Sequence, residues 1–145
     1  MTGAQPLLGV AWTLLTMGFA VIFIIVMSET MPRMLRPTRS WNPPLRDAFV
    51  LFICVLWLLL GVFVIVALWA LLFVLRGEFS DWDTSLYFSV VSVTTVGYGD
   101  ITLAPGSRIL AGFAAADGFL IFGLYTAALY EAITKLREER HRVES

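Results

Sequence analysis

Three apolar runs separated by polar intervals set the pattern of this chain. Residues 7–28 and 48–75 contain no charged side chain, and residues 109–130 contain one, Asp117. A helix needs roughly 20 residues to cross a hydrocarbon layer about 30 Å thick, so each run predicts a membrane-spanning helix. A further segment, Asp81 to Val93, is too short to span. It opens on Asp81, a residue type that caps helix N-termini, with Asp83 in the first turn, and so predicts a short helix. Such a helix can enter a membrane and turn back only where other protein buries it.

The intervals between the runs fix orientation. Residues 29–47 interleave Arg33, Arg36, Arg39 and Arg46 with Pro32, Pro37, Pro43 and Pro44. Prolines at that density predict a linker and not a continuous helix, lying at the membrane surface with Trp41 in the headgroup zone. Its arginines place it on the cytoplasmic side and the N-terminus outside. The tail after residue 130, with Lys135, Arg137, Arg140 and Arg142, falls on the inner side too, as three spans require. The linker arginines are read as a topology signal, with anionic lipid headgroups as the alternative ligand. A signal peptide is the rival reading of the first run, but it lacks a positive n-region and a small-residue cleavage site. No span carries the regularly spaced arginines of a voltage sensor.

Composition agrees with a lipid solvent. Hydrophobic residues make up 59% and charged residues 14%, with a mean hydropathy of +0.83, against about 25% charge in a soluble domain. Ten basic and eleven acidic residues nearly cancel, which argues against nucleic acid as a partner. One cysteine, Cys54, and one histidine, His141, leave almost no material for a metal cluster or a catalytic triad, so no enzyme activity and no organic cofactor are expected.

The chemistry is concentrated in Thr94-Thr95-Val96-Gly97-Tyr98-Gly99-Asp100. Two glycines alternate with Val and Tyr, so successive residues can take opposite-handed conformations and turn each carbonyl oxygen the same way. Four such strands around an axis make rings of oxygens that replace the water shell of a monovalent cation.

This run resembles the selectivity filter of the tetrameric potassium channels. Residues 48–135 as a whole are similar to that family's pore module of outer helix, pore helix, filter and inner helix. Leu86-Tyr87-Phe88-Ser89-Val90-Val91-Ser92-Val93-Thr94 matches the aromatic pore helix, and Phe122-Gly123-Leu124-Tyr125-Thr126-Ala127-Ala128-Leu129 the inner helix of the bacterial proton-gated two-helix channel. The resemblance implies K⁺ ions bound by the Thr95 hydroxyl and by the carbonyls of Thr95, Val96, Gly97 and Tyr98. Gly99 and Asp100 would shape the outer mouth, with Trp82, Tyr87 and Phe88 bracing the filter or simply packing. Where the proton-gated relative has a pore-helix glutamate, this chain has Val91, and Tyr87 donating to Asp100 is the candidate substitute.

On the inner helix, the resemblance turns Phe119, Phe122 and Thr126 toward a central cavity, with Tyr130 below, as a candidate gate. Gly118 falls at the family's hinge position, where close packing is the alternative role. Asp117 needs a partner, since a carboxyl inside a span is costly. It either faces the cavity or, as the helical wheel favours, abuts the pore helix near Ser89 or Ser92.

The whole predicts an all-α membrane protein of three spans with a re-entrant pore helix. Residues 1–47 form the added span and linker, 48–135 the pore module and 136–145 a short tail. The expected function is passive K⁺ conduction by a homotetramer in a bacterial inner membrane. The rivals are a weakly selective cation channel and a non-conducting scaffold or accessory subunit. Protons acting on Glu131, Glu138, Glu139 or His141 are one conceivable stimulus.

Overall fold

The computed structural model describes residues 4–35, 38 and 41–144, with the side chains of residues 34, 35 and 141–144 left out of the description. Four helices follow in order: α1 (Ala4–Leu35), α2 (Pro43–Leu75), α3 (Trp82–Val93) and α4 (Arg108–Glu144). Among the described residues there is no strand. Three of the helices are long and apolar enough to cross a membrane, over Ala4–Arg33, Pro43–Leu75 and Arg108–Arg140.

α1 and α4 run in the same direction. The Phe113 ring of α4 lies against Gly9 of α1, Thr16 meets Asp117, and further along Ile24, Met27 and Met31 share a cleft with Ala128, Glu131 and Lys135. α2 runs the opposite way, its Trp57 indole N–H donating to the Phe23 carbonyl of α1 at 3.1 Å. α3 fills the space between the ends of α2 and α4. Its Phe88 ring packs edge-on against Phe73 of α2, with ring centres 5.2 Å apart, and against Phe79 of the connecting loop. Phe88 therefore takes part in the packing of α3 on α2.

The proline-rich interval is shorter than the sequence pattern predicts. α1 continues through Pro32 to Leu35, because a proline inside a membrane helix is tolerated where neighbours satisfy the freed carbonyl. α2 starts at Pro43, with proline in its first turn, where the missing N–H has no helical partner to lose. Arg46 is therefore a helical residue, nearly buried and paired with Asp47. Asp47 also accepts from Arg140 Nη2 at 2.6 Å, tying the start of α2 to the far end of α4. The expected tail is likewise helical, since α4 extends without a break beyond residue 130 to Glu144. Of the linker arginines, Arg33 is exposed, whereas Arg36, Pro37 and Arg39 lie outside the described residues, as does the side chain of His141.

Candidate ion-conduction site

α3 forms where its sequence asks for it. The Asp81 carboxylate accepts from the Thr84 backbone N–H at 2.7 Å, satisfying one of the orphan donors of the first turn. That bond holds the Asp81 carboxyl below the usual carboxylate range. Ser85, fully buried, donates its hydroxyl to the Ala70 carbonyl of α2 at 2.7 Å, fixing the depth of α3 along α2. Ser85, Phe88, Ser89 and Ser92 are all buried, at the three- and four-residue spacing of one helix face.

At its C-terminal end α3 hands over to the run Thr95 to Gly99. The Thr94 N–H bonds to the Val90 carbonyl at 3.0 Å, the Thr95 N–H to Ser92 at 2.9 Å, and the Gly97 N–H to Val91 at 3.1 Å. The strand thus folds back beside the helix, near the negative pole of its dipole. Thr95, Gly97 and Gly99 have φ of +61°, +56° and +75°, while Val96 and Tyr98 are not among the positive-φ residues. Backbone handedness therefore alternates residue by residue. The strand is unclad by its own chain, with Tyr98 72% exposed and Val96 52%.

The loops that flank α3 and follow this run are held by side chains. Tyr87 donates its hydroxyl to Asp100 Oδ2 at 2.7 Å, the pairing anticipated in place of the absent pore-helix glutamate. Glu78 accepts from the Ser107 hydroxyl, so three of the four outer acids, Glu78, Asp81 and Asp100, have local partners. The Tyr87 bond keeps the Asp100 carboxyl below its ordinary range and raises the Tyr87 phenol. The contribution of this bond is complete above the ordinary carboxylate range and is lost as pH falls through the lowered value. Tyr87→Phe is expected to move Asp100 titration upward, toward the range of a free aspartate, in a carboxyl ¹³C NMR titration. An unchanged midpoint would show that the bond does not govern this acid.

On α4, Phe119, Phe122, Thr126 and Tyr130 are exposed along one stripe, Phe119 at 72% and Tyr130 at 69%. Gly118, one residue away, is buried against α3. A Cβ built there would overlap the Val93 carbonyl oxygen and lie 2.7 Å from its carbon, so close approach of two backbones requires glycine. Asp117 is fully buried, off the Phe119 stripe as the wheel indicates. Its partners are not the serines of α3. Oδ2 accepts from the Thr16 hydroxyl of α1 at 2.6 Å and from the Trp69 indole N–H of α2 at 2.7 Å. Thr16 and Trp69 escaped the sequence reading; the signal for them was the solitary carboxyl itself, which demands donors from whichever helices surround it.

Three spans, a short helix that ends on a run of alternating backbone handedness, and an uncovered stripe on α4 define an all-α membrane channel fold. The comparison with protein families agrees: residues 52–135, more than half of the chain, match the model described as "Ion channel". The chain belongs to that family and is an integral membrane protein. Searches of the curated proteins and of the solved structures returned no match. α1 precedes the matched region.

Proposed function

We propose that this protein is a potassium-selective channel, assembled as a homotetramer, that conducts K⁺ passively along its fourfold axis. The observation that carries this reading is the alternation of φ at Thr95, Gly97 and Gly99. An alternating backbone points successive carbonyls to one side, and a dehydrated cation requires oxygens from several directions. One strand supplies one side only. Four copies close the rings, with sites at the Thr95 hydroxyl and the carbonyls of Thr95, Val96, Gly97 and Tyr98, and with Gly99 and Asp100 at the mouth. The uncovered stripe of Phe119, Phe122, Thr126 and Tyr130 then lines the cavity and its constriction, and needs partner copies for the same reason.

The N-terminus lies outside and the long end of α4 inside, by the distribution of basic residues, and the resemblance to the bacterial two-helix channel points to a bacterial inner membrane. Arg33 remains available to anionic headgroups, whereas Arg46 is taken by Asp47.

The test is K⁺ against Na⁺ flux into liposomes holding only the purified protein, at neutral and at acidic internal pH. K⁺ flux well above Na⁺ flux is the expected result. Equal fluxes would replace this reading with a weakly selective cation channel. No flux from a verified tetramer at either pH would favour a non-conducting scaffold. A pH effect would point to the acids of the inner end of α4.

A further inference from the structure

α1 lies outside the matched channel region, yet a fully buried polar contact joins it to the pore module. Thr16, Trp69 and Asp117 are each 0% exposed, and one carboxylate oxygen gathers the hydroxyl of α1 and the indole of α2 at 2.6 and 2.7 Å. Both neighbours of this node in sequence touch α3. Gly118, next to Asp117, abuts the backbone of Val93, the last residue of α3. Ala70, next to Trp69, accepts from Ser85 of the same helix. Val93 stands two residues before Thr95.

Helices in lipid gain little from apolar contact alone, since lipid tails are as apolar as their side chains. The register of α1 must then come from close packing and from polar bonds. α1 has Phe113 seated over Gly9, the Trp57 bond to the Phe23 carbonyl, and Thr16. Of these, only Thr16 bonds directly to the residue that precedes the Gly118 contact.

We propose that Thr16 of α1 is a positioning residue of the pore: through Asp117 it sets where Gly118 meets Val93, and so the inner end of the filter at Thr95. α1 is then a working part of the conduction unit and not a passive belt. The inference rests on the filter reading above.

The test replaces Thr16 by Val, which keeps the branched shape and removes the hydroxyl, and by Ser, which restores it. Thr30→Val is the control, because the Thr30 hydroxyl bonds only carbonyls of its own helix, Val26 and Met27. An interhelical hydrogen bond in a membrane shifts an equilibrium by roughly three- to tenfold. Thr16→Val is therefore expected to change K⁺ flux per assembled channel, or its ratio to Na⁺ flux, by that factor. Thr16→Ser and Thr30→Val should match the parent. The same variants are compared by solid-state NMR in bilayers, following the Thr95, Val96 and Gly97 backbone signals, a readout that does not depend on conduction. Shifted filter signals in Thr16→Val alone support the proposal even if the parent protein passes no K⁺, a result that would overturn the channel reading separately. Filter signals identical to the parent, with unchanged flux or with loss confined to the number of assembled channels, would overturn the positioning role.

Discussion

Replacing Gly118 by Ala is expected to unseat the inner helix from the pore helix and to abolish both the stable assembly and its flux. The new methyl would occupy the place of the Val93 carbonyl oxygen and lie 2.7 and 3.0 Å from the Val93 carbon and Cα. Overpacking against mobile side chains costs about 1–3 kcal/mol. Here the obstacle is backbone at the end of α3, which cannot rotate aside, so the cost should reach or exceed about 3 kcal/mol. α4 must retreat, or Val93 must move and carry Thr95 with it. Gly112→Ala, on the same helix with nothing beyond its own turns of backbone within 4 Å of its added methyl, serves as the reference and should stay neutral or gain up to about 1 kcal/mol from helix propensity. Thermal dissociation of the detergent-solubilised assembly measures both. If Gly118→Ala assembles with unchanged stability but opens more slowly, Gly118 acts as a hinge and the close packing against Val93 is dispensable.

Local rules made the region from Asp81 to Asp100 legible in the sequence. The Asp81 cap, the end of α3 at Val93 and the Tyr87–Asp100 bond each depend on residues a few positions apart, or on a loop short enough to bring its ends together. The helical wheel likewise turned Asp117 away from the Phe119 stripe. It named the wrong hydrogen-bond partners, however, because the wheel gives a direction and not which donors lie there. An apolar face against lipid and one against another helix carry the same residues, so hydropathy did not place α1 beside α4 or bring Thr16 to the carboxyl. The reach of α1 past Pro32 escaped for a related reason: in a membrane bundle, neighbours satisfy what a proline leaves open. Arg46 reads as a surface charge because the sequence does not reveal that α2 already begins at Pro43 and that Asp47 pairs with both Arg46 and Arg140.

Thr95 carries the second large effect. Three alternate positions of the strand have positive φ, and two of them are the glycines that such a conformation favours. The third is a β-branched residue, for which positive φ is a true outlier at a cost of about 1–2 kcal/mol. A glycine at 95 would relieve that strain, so the side chain must contribute something a glycine lacks. Residues held in sparsely populated backbone regions concentrate where function needs them, and the hydroxyl of Thr95 is the group that can add an oxygen ring below the carbonyls. Thr95→Gly is accordingly expected to raise the thermal stability of the assembly while lowering the K⁺ to Na⁺ flux ratio by tenfold or more, about 1.4 kcal/mol of selectivity. Thr95→Ser should keep most of the selectivity, because the oxygen remains and the branch is gone. Thr95→Ala should lose the selectivity without the gain in stability, since it keeps the backbone strain without the oxygen. Should Gly and Ala retain the parent flux ratio, the strain at Thr95 would have another origin, and the innermost K⁺ site would have to be formed by carbonyls alone.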